Sequence, residues 1–162
     1  MQACEHSHHH AHGLAGSSLE GALTRAERRV EAAGERLTPV RRRALDLLLR
    51  AGGPVKAYDL MAGFGPGGEP AKPPTVYRAL DFLIRRGLVH KIERLNAFMA
   101  CGHTEDGEAH TAAFLVCDCC GAAREIEPPP SAAVEAAAKA SGYALTGVTL
   151  EAHGLCPDCA AA

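Results

Sequence analysis

Apolar positions recur at helical spacing through the first half of the chain and at strand spacing through parts of the second. Leu19, Leu23, Ala26 and Val30 fall near one face and predict a helix over 18–36. Ser17 and Glu20 have the spacing of a capping box at its start. Thr38-Pro39 predicts a second helix start, with a hydroxyl at the cap and proline in the first turn. Val40, Ala44, Leu47 and Leu48 continue it, and Gly52-Gly53 stops it. A short helix is predicted over Ala57–Ala62, then a Gly- and Pro-rich loop from Gly63 to Pro74. A fourth helix runs from Thr75 to just before Gly87, with Val76, Leu80, Leu83 and Ile84 on one face and Arg78, Asp81 and Arg85 on the other. Leu88–Arg94 and Ala97–Cys101 read as two strands about a turn at Asn96. Three helices after a leading one, closed by a hairpin, follow the order of a winged helix-turn-helix.

The second half has a different rhythm. Thr111–Val116 and Ala123–Glu127 are predicted strands, and Ser131 is the predicted cap of a helix to Ala140. Tyr143–Ala152 is a predicted final strand leading to Cys156. The expected fold class is α+β: an N-terminal winged helix-turn-helix and a small C-terminal α/β unit. The expected boundaries are a His-rich tail over 1–16, a winged-helix domain over 17–95, a hinge over 96–105 and a second domain over 106–162. The tail holds Cys4, His6, His8, His9, His10 and His12 without apolar periodicity, and predicts disorder.

Charge sharpens this division. Residues 1–95 hold fifteen Lys/Arg against ten Asp/Glu, whereas 96–162 hold two against nine. A basic half joined to an acidic half suggests that the first meets a polyanion. No apolar run reaches bilayer length and the N-terminus lacks a secretion pattern, so the expectation is a soluble cytoplasmic protein with no membrane partner. In that compartment the seven cysteines read as metal ligands or reactive thiols before disulfides.

The strongest chemical signal is Cys117-x-x-Cys120 paired with Cys156-x-x-Cys159. Two such knuckles supply the four thiolates of a tetrahedral zinc site. The 35 intervening residues must fold out and return. Cys119, between the first two ligands, is too close to both to join them and reads as a bystander. His90, Cys101, His110 and Glu125 form a weaker constellation at predicted strand ends, and spacing alone does not separate them from His103 and His153. A mixed nitrogen, sulfur and oxygen set suits zinc over magnesium, manganese or calcium. Near the start of the fourth helix, Thr75, Tyr77 and Arg78 lie off the apolar face, where a recognition helix meets bases and phosphates.

Assembled, these residues resemble the ferric uptake regulator (Fur) superfamily and, within it, the zinc uptake regulators (Zur). The resemblance runs from Leu37 to Cys159 and is carried by LTPVRRRALDLL, AKPPTVYRALDFLIRRGLVHKIE, HTAAFLVCDCCGAAREI and LEAHGLCPDC. It implies a homodimeric repressor on double-stranded operator DNA, with metal as corepressor and the C-terminal domain as the dimerisation domain. It further implies two zinc ions per subunit: a structural one on Cys117, Cys120, Cys156 and Cys159, and a regulatory one on His90, Cys101, His110 and Glu125. Tyr58 and Arg78 are implied DNA contacts, with Thr75, Tyr77, Arg41 and Lys91 as further candidates and Arg94 as a second phosphate-attracting cation of the wing.

Departures from the pattern also count. Iron regulators carry an H-H-x-H segment before the first knuckle, whereas Cys101–His110 offers only His103 and His110 as histidines, which points away from iron. The run Gly63–Gly68 holds no charged residue for a contact between dimers. A regulator of the same superfamily that answers to iron or manganese is the nearer alternative, and an enzyme and a zinc-ribbon interaction module are the competing classes. Four protein ligands leave no open position for an activated water, and the basic winged-helix half argues against a module without DNA.

Overall fold

The computed structural model describes residues 13–65, 67–102 and 112–161. Cys4 and the tail histidines, together with His103 and His110, lie outside the described residues. The chain runs α1 (Gly16–Ala32), α2 (Pro39–Ala51), β1 (Val55–Lys56), α3 (Ala57–Ala62), α4 (Pro73–Arg85), β2 (Val89–Ile92), a 3-10 turn (Glu93–Leu95) and β3 (Ala97–Ala100). It continues with β4 (Ala112–Cys117), β5 (Ala123–Ile126), α5 (Ala132–Ala140), β6 (Thr149–Gly154) and α6 (Pro157–Ala160).

Helix α2 starts and stops as its punctuation dictates. Thr38 is the cap, its hydroxyl accepting from the Arg41 amide at 3.5 Å. Gly52 ends the helix in the left-handed region at φ 66°. Helix α1 does not use the expected capping box. It begins at Gly16 after Ala15, with no side-chain cap. Its start is fixed by a tertiary contact instead: the Leu14 amide donates to the Leu49 carbonyl at 2.8 Å. A Cβ on Gly13 would sit 1.6 Å from the Arg50 carbonyl oxygen, so only glycine permits this close approach. Ser131 does precede α5, but its hydroxyl bonds to the Glu135 carboxylate rather than to an amide of the first turn.

Leu19, Leu23, Val30, Leu48, Leu80 and Leu83 lie at the centre of the first core, with Val76 and Phe82 of α4 fully packed among them. Asp46 carries a buried charge in this core and accepts from Arg43 Nη1 at 2.8 Å and Arg50 Nε at 2.9 Å. Arg43 also donates to the carbonyls of Gly63 and Phe64, tying the glycine-rich loop to α2. A buried carboxylate is tolerated because both oxygens are paired.

Two three-stranded sheets follow. The first has the order β1-β3-β2, all antiparallel. Strand β1 is only two residues long and carries no periodic signal, so sequence reading missed it. Strand β3 is the central strand of this sheet, paired with β1 on one side and β2 on the other. The second sheet has the order β5-β4-β6, with β4 antiparallel to β5 and parallel to β6. The expected strand from Tyr143 is shorter, Thr149–Gly154, because its register begins where Thr149 meets Ala112, the first residue of β4. Helix α6, also unforeseen, opens with Pro157 in its first turn.

A second apolar cluster joins the sheets: Ile92 and Met99 of the wing pack on Ala112, Phe114 and Val116 of β4. The winged helix and the second sheet are thereby in direct apolar contact. No described helix is long and apolar enough to cross a membrane.

Candidate metal centres and DNA-reading face

The parallel register of β4 and β6 places Cys117 beside Gly154, so the strand ends deliver both knuckles to one point. Gly121, at φ 72°, turns the chain after Cys120, while the Cys117 amide donates to the Ala122 carbonyl at 2.8 Å. The ligand atoms of Cys117, Cys120, Cys156 and Cys159 all lie within 4.8 Å of one another. Cys120 Sγ and Cys156 Sγ are 3.8 Å apart. A tetrahedron with Zn–S bonds near 2.3 Å has edges of about 3.8 Å, so the Cys120–Cys156 pair already has the separation of two ligands in a zinc site. Cys119 stands outside this four-sulfur cluster.

The thiols are electrostatically unequal. Burial opposes ionisation of Cys117, but amides of Cys120, Cys156 and Cys119 aimed at its sulfur bring it down to about 6. Burial and the neighbouring thiols push Cys159 up to about 12, and burial raises Cys120 as well. Four thiolates cannot gather here on their own charge. A divalent cation among them would favour the ionised thiols over the protonated ones.

A second cluster bridges the two sheets. His90 lies on β2, Cys101 just after β3 and Glu125 on β5, with their ligand atoms within 4.8 Å of one another. Glu125 Oε1 is 3.6 Å from His90 Nε2 and 3.9 Å from Cys101 Sγ, while Oε2 accepts the Gly102 amide at 2.8 Å. The His90 and Glu125 side chains are only 12% and 8% exposed, and the imidazole packs 5.3 Å from the Phe114 ring. Three of the four residues expected in this site are therefore together, and the fourth, His110, lies outside the described residues. His153 is elsewhere, with Nδ1 3.6 Å from Asp118 Oδ2.

On the first unit, Thr75, Tyr77 and Arg78 are exposed near the start of α4, whose apolar side is buried. Tyr58 on α3 is 79% exposed, high for an aromatic ring. Arg41 is differently engaged: its guanidinium carbon lies 3.5 Å from the Phe82 ring centroid, and Nη1 donates to the Arg36 carbonyl at 2.7 Å. Lys91 pairs with Glu93 at 2.7 Å. Arg94, the second cation expected to attract phosphate, donates through both Nε and Nη2 to Asp118. Asp118 and Glu151, which meet the wing from the second sheet, went unnoticed in the sequence, where nothing distinguishes them from other surface carboxylates.

The ferric uptake regulator family profile matches residues 32–153. The zinc uptake regulation protein of Escherichia coli (strain K12) is 43% identical over 139 residues, covering 85% of this chain and 80% of that protein. A zinc uptake regulator solved in complex with zinc and DNA superposes with a TM-score of 0.81 at 37% identity, covering 90% of this chain and 97% of the other. The holo form of XcZur gives 0.75 at 47% identity, covering 88% and 99%.

Proposed function

The chain belongs to the ferric uptake regulator family, and from that premise we propose that it is a zinc-responsive transcriptional repressor that binds operator DNA as a homodimer in the cytoplasm. The observation that carries this reading is the cluster of His90, Cys101 and Glu125, which draws its members from both sheets. An ion held there ties the wing to the second sheet, so its binding energy favours one arrangement of the two units over others. His110 completes the set as the fourth ligand in this proposal.

Each subunit takes two zinc ions. Cys117, Cys120, Cys156 and Cys159 hold a structural one that closes the two ends of the second unit, and His90, Cys101, His110 and Glu125 hold the regulatory one. Zinc supplies a d10 dication without geometric demands of its own, which suits both donor sets. The four thiolates fill a coordination shell and leave no place for a reacting water, so the site builds structure rather than catalysis.

The DNA-reading unit runs from residue 17 through the wing, and the dimerisation unit spans 106–162. Arg78 reads a base, Tyr58, Thr75 and Tyr77 position the duplex, and Arg41 and Lys91 add positive charge near the phosphates. The dimerisation unit leaves Leu115, Val134, Tyr143, Leu145, Leu150 and Leu155 exposed, and α5 buries none of its residues. An apolar face of that extent on a small unit calls for a partner, and a second copy covers it in this proposal. A gel shift on the operators of the source genome tests the whole: zinc-dependent retardation supports it, and retardation indifferent to zinc, or none, refutes it.

A further inference from the structure

The turn of the wing is attached to the second sheet at a place neither metal cluster uses. The Glu93 and Arg94 amides, which open the 3-10 turn, donate to the two carboxylate oxygens of Glu151 at 2.7 and 3.0 Å. The Arg94 side chain donates through Nε and Nη2 to Asp118 Oδ1 at 3.1 and 3.0 Å. Asp118 follows the first knuckle cysteine, and its own amide donates to the Gly154 carbonyl at 2.7 Å. Glu151 sits on β6, the strand that leads into the second knuckle. Both carboxylates thus stand on the segments that the four thiols hold together.

The geometry points to an interdomain latch, in which Glu151 and Asp118 are positioning residues that hold the wing in the DNA-competent arrangement. It rests on the function proposed above. His90 and Glu93 are three residues apart, about 10 Å along an extended chain. One attachment at either place leaves a pivot, and two together, with Ile92 packed on β4 between them, restrict it. The wing in turn carries the recognition helix. After Gly87, at φ 62°, the Leu88 amide donates to the Leu83 carbonyl of α4, and the Cys101 amide donates to the Leu88 carbonyl. Exposed ion pairs are individually weak. In this turn a carboxylate caps two amides while a guanidinium is held by a second carboxylate, and all four contacts are lost together if the units part. Zinc at the second cluster and the latch favour the same arrangement, so loss of the latch raises the zinc needed for DNA binding.

The test uses the full-length, structurally zinc-loaded protein and its Glu151→Ala, Glu151→Gln, Arg94→Ala and Arg94→Lys variants. Binding to operator DNA is followed against buffered free zinc at several salt concentrations, and hydrogen exchange of residues 89–97 is followed without DNA. Glu151→Ala and Arg94→Ala should each raise the zinc midpoint by about fivefold or more. The salt dependence should keep its slope, the Glu93 and Arg94 amides should exchange faster in Glu151→Ala, and the two conservative variants should recover part of the loss. Removing an acidic side chain would, on charge alone, strengthen DNA binding, so weakening by Glu151→Ala is the sign particular to a latch. An unchanged midpoint in Glu151→Ala overturns the proposal, as does an Arg94→Ala effect that only lowers the salt slope by about one, the mark of a phosphate contact. If the wild type binds no DNA in response to zinc, the proposed function falls, and unchanged wing exchange in Glu151→Ala then overturns the latch separately.

Discussion

Replacing Glu125 by glutamine keeps nearly everything about the second cluster except its charge. The amide oxygen can still accept the Gly102 amide, now bonded at 2.8 Å, so the local backbone need not move. What disappears is the carboxylate that, with the Cys101 thiolate, neutralises a dication in a nearly closed site. A carboxylate bonded to an ion at about 2.1 Å is attracted by about 8 kcal/mol per unit of ion charge at an effective dielectric near 20, so by about 16 kcal/mol for a dication. The glutamine oxygen still faces the ion, and its dipole and entering water return most of this, leaving a loss of about 4 kcal/mol. That corresponds to about a thousandfold weaker zinc binding at this site. Fluorescence anisotropy of labelled operator DNA in zinc buffers reads the effect directly, with metal analysis and sedimentation as controls on the four-thiol centre and the dimer. The zinc midpoint should rise by about two to three decades in a folded, dimeric protein. A midpoint within about threefold of wild type, with both controls intact, would refute the assignment of Glu125 as a ligand.

Cys117→Ser or Cys156→Ser should lose the structural zinc together with the fold of the second unit and the dimer, because metal binding and folding are coupled there; a metal-free dimer with native circular dichroism would contradict this. Arg78→Ala should cost about 1–3 kcal/mol of discrimination at one base position, measured by competition among operator variants, whereas uniform weakening would make Arg78 a backbone contact. Zinc affinity of the four-thiol centre should fall as pH falls. Cys117, at about 6, is already ionised at neutrality, but Cys120 and Cys159 are held protonated by burial and must each give up a proton to the metal. With at least two protons released, affinity drops at least about a hundredfold per pH unit from about 8 to about 7, and more steeply below about 6, where Cys117 also protonates. Calorimetry near neutral pH in buffers of different ionisation heat counts those protons, and a count near zero would show that burial does not hold Cys120 and Cys159 protonated.

Helices α2 and α4 were legible because each combined an apolar stripe with local punctuation: Thr38-Pro39 and Gly52 bracket α2, and Gly87 follows the end of α4. The four thiols were legible because C-x-x-C pairs announce themselves at any separation. Residues whose role depends on a distant partner gave no local sign. The start of α1 is set by Leu49 rather than by Ser17, a contact between elements that no capping pattern encodes. Strand β1 is too short to show alternation, and β6 starts only where β4 offers a partner. His90, Cys101 and Glu125 are far apart in sequence, and only a family resemblance separated them from His103 and His153. Arg94 looked like a wing cation for phosphate, yet its guanidinium is committed to Asp118. Charge patterning sees the sign of a side chain and not the charge that faces it.

The most direct test of the central claim titrates the dimer, with its four-thiol centre loaded and its second cluster stripped, against operator DNA at buffered free zinc, iron(II) and manganese(II). One thiolate, one carboxylate and two imidazoles in the proposed set favour a four-coordinate ion, whereas iron(II) and manganese(II) seek more oxygen or nitrogen ligands. The account predicts that zinc switches on DNA binding at the lowest free concentration of the three. Activation by iron(II) or manganese(II) at a lower free concentration than zinc, or DNA binding that ignores all three ions, would contradict it.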